Sequence, residues 1–253
     1  MSLPFRALFP RRVSEPSAIA ISFGEENFEI VLRRNAQARR YTLRVQSATR
    51  EVVLTLPPRG SLKQARDFAE RNAAWIATRM ARLPQPIPFV DGAMLPLRGV
   101  PHRIAHRPQT RGTVWIEPAE GEAALLCVAG EAPHVARRVH DFLRKEARRD
   151  LDIASRRAAD ALGVTLRRVS VRDQSSRWGS CSTTGVLSYS WRLILTPPFV
   201  LEYLAAHEAA HLVEMNHSRA FWRQVARICP DFRRAKSWLD ANGADLHRYG
   251  NGG

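Results

Sequence analysis

Residues 196–218 read Thr-Pro-Pro-Phe-Val-Leu-Glu-Tyr-Leu-Ala-Ala-His-Glu-Ala-Ala-His-Leu-Val-Glu-Met-Asn-His-Ser. Thr196-Pro197-Pro198 has the form of a helix start, a capping hydroxyl followed by proline at the first helical position. It predicts a helix from Pro197 to about Glu214. His207 and His211 are four residues apart on that helix, so their imidazoles project to one face and can converge on one metal ion. Glu208 sits beside that face, where a carboxylate can take a proton from a metal-bound water. Asn216 suits a left-handed turn that brings the chain back and delivers His217. Three neutral imidazoles plus water make a four-coordinate zinc site with one open position, which generates hydroxide near neutral pH. Glu214, Asp231 and Asp240 compete with His217 for the third ligand position, and Glu214 could instead brace a ligand from behind.

Downstream, Ser218 predicts the cap of a helix that turns Phe221, Trp222, Val225 and Ile228 inward. Pro230 interrupts, Asp231 can cap a last helix bearing Phe232, Ala235 and Trp238, and Asn242-Gly243 ends it. Upstream lie two predicted strands, Leu166 to Val171 and Gly185 to Trp191, with the loop Ser175 to Cys181 between them. Before these, residues 134–162 read as one long basic helix with Val135, Val139, Phe142 and Leu143 spaced for burial and Gly163 as its stop. Short strands are expected around 94–98, 102–106, 113–116 and 124–128, after a break at Pro84, Pro86 and Pro88 and a turn at Asp91-Gly92. Ser61 caps a further helix through about Leu83, with Phe68, Trp75, Ile76 and Met80 on its apolar face. Ahead of it, residues 28–32, 41–45 and 51–56 alternate as strands of an antiparallel meander. Residues 1–24 read as a loosely ordered leader.

Composition bounds the functional classes. The chain has 253 residues, 45% of them hydrophobic, enough for one large domain or two small ones. Lys+Arg 39 against Asp+Glu 24 gives a formal charge of +15, which favours polyanions or acidic substrates, or forms a solvated basic surface. Cys127, Cys181 and Cys229 are far apart, and no C-x-x-C pair exists, so no disulfide framework or cysteine-built zinc site is supported. The proline-broken N-terminus does not read as a convincing signal peptide, and no run approaches the roughly 20 apolar residues of a membrane span. A reduced, cytoplasmic setting without membrane contact is expected.

Arg177-Trp178-Gly179-Ser180-Cys181, the strand to Trp191, His207-Glu208-Ala209-Ala210-His211-Leu212 and Asn216-His217-Ser218-Arg219-Ala220-Phe221-Trp222 together resemble the YgjP-like family of metal-dependent hydrolases. That family is related to the SprT/Wss1-like zincin peptidases. The likeness extends to Trp75-Ile76 and Asp91-Gly92 and so covers about residues 28–240. It implies His207, His211 and His217 as zinc ligands and Glu208 as the catalytic glutamate. One departure is Ala209, where the family usually has leucine, a difference that bears on packing behind the site more than on chemistry.

These readings predict an α+β protein: a leader (1–24), a β-rich part with one helix (25–130) and a compact zincin-like, minigluzincin-type catalytic part (131–250) with the H-E-x-x-H on a helix. The expected function is zinc-dependent hydrolysis of a peptide or protein, with one zinc ion and Glu208 as general base. Two alternatives are a metal-dependent hydrolase of a nucleoside triphosphate (a pyrophosphatase) and a nucleic-acid-associated protein, bound through its basic surface, with secondary peptidase activity. No G-x-x-x-x-G-K-[ST] phosphate loop and no base-recognition motif is present. Arg177 and Trp178 are read as shaping the substrate cleft or as a tight turn held by Gly179. Cys181 is a weaker candidate as an extra ligand. The strand Val186 to Trp191 is expected to offer its edge to an extended substrate, and Tyr189 and Tyr203 are candidate oxyanion donors.

Overall fold

The computed structural model describes residues 16–46, 49–118, 123–174 and 176–250. The chain divides into two compact units, one ending at Leu83 and one beginning at Pro84.

In the first unit, strands β1 (Ala18–Phe23), β2 (Glu26–Arg34), β3 (Thr42–Val45) and β4 (Val52–Leu56) form a sheet of order β1-β2-β4-β3. Alternation along the strands puts Ile19, Ile21, Phe28, Ile30, Leu54 and Leu56 into one core. Strand β1 falls in the stretch expected as a leader; residues 1–15 of that leader lie outside the described residues. The expected meander is also corrected. β1–β2 and β3–β4 are antiparallel, but β2 runs parallel to β4, with Val31 opposite Val53. The interior place goes to β4, whose Val52, Val53, Leu54 and Leu56 are all buried, and the edge goes to β3 with its exposed Thr42 and Arg44.

Helices α1 (Leu62–Arg71) and α2 (Ala73–Ala81) complete the unit where one helix was expected. Ser61 and Gln64 form the capping box that starts α1. The break falls at Asn72, whose side chain donates to Phe68 O at 2.7 Å and competes with the helical ladder. Ile76 is buried as expected, whereas Trp75 is 47% exposed and stands outside the apolar face.

The second unit begins with β5 (Met94–Leu97), β6 (Val100–Arg107), β7 (Val114–Glu117) and β8 (Ala124–Ala129), ordered β5-β6-β8-β7. The long helix α3 (Val135–Leu162) follows and ends at Gly163 in the left-handed conformation. Leu95, Ile104 and Leu126 from this sheet share one core with Val139, Leu143 and Leu151 of α3 and with Leu187 and Trp191 further on. That shared core holds the second unit together from Pro84 onward.

A second sheet holds β9 (Arg168–Arg172), β10 (Gly179–Cys181) and β11 (Val186–Ser190) in the order β10-β11-β9. Helices α4 (Pro198–Ala210), α5 (Arg219–Ile228) and α6 (Phe232–Leu246) close the chain. Thr196 does not cap α4: its hydroxyl donates back to Leu193 O at 2.8 Å, and Pro197 is the N-cap residue. Helix α4 is buried on most sides, with Val200, Leu201, Leu204, Ala205 and Ala209 all in the core, as an almost wholly apolar helix should be. Helix α6 runs through Asn242-Gly243 and continues to Leu246 instead of stopping there.

Candidate metal centre

The end of α4 builds the site. His207 and Glu208 occupy its last turn and His211 is its C-cap residue, so the helix stops short of the expected Glu214. The next amides close tightly, with Leu212 N donating to Ala209 O and Val213 N to Ala210 O at 3.0 and 3.1 Å. Asn216 makes the return without a left-handed backbone. Among the described non-glycine residues, only Arg50 and Arg98 have positive φ. Asn216 instead accepts from Ser218 N through its side-chain oxygen at 3.1 Å, a side-chain turn, and Ser218 then caps α5 by accepting from Phe221 N.

This path brings His217 back against the helix. One potential ligand atom from each of His207, His211 and His217 lies within 4.8 Å of the others, and His207 Nε2 and His217 Nε2 are 3.1 Å apart. Among the described residues this cluster contains no carboxylate or thiol, so Glu214, Asp231, Asp240 and Cys181 do not join it. Asp240 pairs with Lys236 at 2.9 Å. Glu214 contributes its backbone: its carbonyl is 3.0 Å from His211 Nδ1, which fixes that ring and leaves Nε2 toward the cluster. Burial, then the neighbouring His211 and His217, push His207 down to about 4. Burial likewise holds His211 below its ordinary value. Neutral imidazoles at close range are the form that ligates a metal, so the donor set fits one divalent ion such as zinc. Phe221 packs against His207, His211 and His217 with ring centroids 4.5–4.9 Å away and backs the cluster with apolar surface.

Glu208 is 4% exposed. Burial raises its pKa to about 7, against an opposing pull from the Arg177 guanidinium. Its neighbour is Gly179 of β10. A β-carbon at residue 179 would lie 2.7 Å from Glu208 Cγ and 2.8 Å from Cδ, closer than real contacts allow. Glycine is therefore required because the strand passes directly over the carboxylate, not because the chain turns there. Sequence reading singled out the Arg-Trp-Gly-Ser-Cys run but took its glycine for a turn.

The remaining expected site residues divide. Arg177 is exposed and acts electrostatically on Glu208. Trp178 is half-buried and stacks on His247, centroids 4.9 Å apart. Tyr189 is 0% exposed, and its hydroxyl shares a 2.9 Å hydrogen bond with Ser155. It belongs to the core and cannot serve as an oxyanion donor. Tyr203 is buried too and packs edge-on against His207 at 5.8 Å, supporting the ring from behind. β11 is not an edge: it lies between antiparallel β10 and parallel β9, and Trp191 has left the strand for a short 3-10 turn. The edge strand on this side is β10, Gly179–Cys181.

A family model for the YgjP-like metallopeptidase domain matches residues 39–242. By class this is a metal-dependent peptidase, and the family implies a bound metal. The chain belongs to the YgjP-like family. It is also similar to the metallopeptidase zymogen abylysin of Pyrococcus abyssi, at 26% sequence identity and a TM-score of 0.34, over 39% of this chain and 97% of that one. No curated protein matches it.

Proposed function

We propose that this chain is a zinc-dependent peptidase in which His207, His211 and His217 hold one zinc ion and Glu208 is the general base. The observation that carries the reading is the meeting, at one helix end, of three converging imidazoles and a buried carboxylate whose pKa is raised to about 7. When bound, zinc supplies a Lewis acid that activates water and polarises a carbonyl. Glu208 takes the proton from the attacking water and returns it to the leaving amine, its burial keeping that proton from bulk water. Gly179 and the surrounding apolar residues keep the carboxylate in one place and away from bulk water. Arg177, exposed beside Glu208, is placed to contact substrate, with Trp178 setting the wall behind it. The edge of β10 supports binding of an extended peptide through main-chain hydrogen bonds, with little sequence preference.

A peptide substrate is favoured by the metallopeptidase family to which the chain belongs and by the edge strand β10 beside the cluster. No helix among the described residues is long and apolar enough to cross a membrane. Cys127, Cys181 and Cys229 are free thiols, which supports a reducing, cytoplasmic setting. The test offers pure zinc-loaded protein casein and, separately, a nucleoside triphosphate, each with and without chelator. Chelator-sensitive casein cleavage without phosphate release is expected. Phosphate release without casein cleavage would replace the peptidase reading with a phosphoanhydride hydrolase.

A further inference from the structure

Glu208 is held by a strand whose own position is set from the far side by the C-terminal helix. The link is Trp178. Its indole faces Gly243 of α6 so closely that a β-carbon at residue 243 would lie 3.2 Å from Trp178 Cζ2 and 3.5 Å from Cε2 and Nε1. The same ring stacks on His247, just past the end of α6, with the planes 27° apart. The Trp178 backbone is fixed as well, its carbonyl accepting from Ser190 N at 2.9 Å, so the ring cannot shift by sliding the strand freely along β11. The next residue is Gly179, paired with Tyr189 in the sheet and lying over Glu208. Two consecutive residues thus touch α6 on one side and the carboxylate on the other.

The C-terminal end is itself anchored. Ile87 N donates to Arg248 O at 2.8 Å, Gly250 N donates to Ile87 O at 3.0 Å, and Ile87 and Tyr249 form an isolated parallel bridge. Arg192, which also pairs with Asp173, reaches Tyr249 O at 3.5 Å. Helix α6 is therefore a fixed abutment for the indole.

From this we infer that Trp178 is a positioning residue, seated against Gly243 and His247, that sets the height of Gly179 over Glu208 and so the placement of the catalytic carboxylate. The inference rests on Glu208 being the general base. Gly243 is the sensitive point because it lies inside a helix with no positive φ. Helix propensity alone favours alanine there. A purely structural role for residue 243 therefore predicts that Gly243→Ala changes the melting temperature alone, up by helix propensity or down by the crowding of Trp178, with normal turnover. The positioning role predicts the opposite for activity: about a tenfold to hundredfold fall in kcat on casein at unchanged zinc content, with KM little altered. Trp178→Phe removes the ring atoms that a methyl group at 243 would strike, so Trp178→Phe/Gly243→Ala should recover most of the lost kcat.

Crystal structures of zinc-loaded wild type and Gly243→Ala supply the readout that needs no turnover. The expected result is a displaced indole and a Gly179 α-carbon moved relative to the Glu208 carboxylate, restored in the double variant. An indole that moves while Gly179 and Glu208 keep their wild-type separation overturns the proposal, as does unchanged kcat in Gly243→Ala. Glu208→Gln, assayed alongside, tells the two levels apart. An active Glu208→Gln removes the general-base reading itself, whereas an inactive Glu208→Gln beside a fully active Gly243→Ala removes only the positioning role.

Discussion

A methyl group at residue 179 would occupy space that the Glu208 side chain now fills, with its carbon 2.7 Å from Cγ. Gly179→Ala must therefore move the strand or the carboxylate. Overpacking of this kind costs about 1–3 kcal/mol of stability, and displacement of the carboxylate should lower kcat about a hundredfold. Zinc binding should survive, because the clash is with Glu208 and not with a histidine. Calorimetry, metal analysis and casein hydrolysis on one preparation check all three. His217→Ala has the reverse signature, a sharp loss of zinc content measured by mass spectrometry. Unchanged stoichiometry would pass the third-ligand role to another group. His207, Glu208 and His211 were legible in the sequence because i,i+4 spacing on a helix fixes their relative direction before any tertiary contact forms. Gly179 was not, because its constraint comes from a helix some thirty positions later that only the fold brings beneath it. Tyr189 misled for the same reason: nothing in its neighbourhood announces the hydrogen bond to Ser155 on α3.

Elements with local signals were readable in advance. Gly163 terminates α3, Ser61 starts α1 and Ser218 starts α5 through short-range hydrogen bonds that the sequence displays directly. Strand partners were not, since β2 beside β4 and β11 between β10 and β9 are decisions about which strand is most completely buried. The end of α6 failed in an instructive way, because Gly243 serves a close approach by Trp178 and not a helix stop. That same end carries a titration. Burial first, then the Arg192 charge, push His247 down to about 4, with Asp173 opposing. The folded state resists a proton that the unfolded chain accepts near pH 6.5, so this group's full stability is present above pH 6.5 and is lost as pH falls toward 4. His247→Phe keeps a ring against Trp178 and removes the titration. Urea midpoints from pH 7 to 4.5 should fall more steeply for wild type than for this variant, and parallel profiles would exclude the contribution.

For the molecule as a whole, the α+β class could be read from patterning, because strand and helix periods are local properties of the sequence. The chain's two compact units meet in sequence at Leu83/Pro84, and the second holds together through a core shared by Leu95, Ile104 and Leu126 with α3 and Trp191. What the whole chain presents is one cluster of three imidazoles among the described residues, with a buried glutamate beside it. Glu208→Gln tests that account most directly, measured as casein hydrolysis at matched zinc content beside wild type. One zinc per chain in both proteins and a loss of at least about a hundredfold in turnover is the predicted result. Wild-type turnover by the zinc-loaded variant would contradict it.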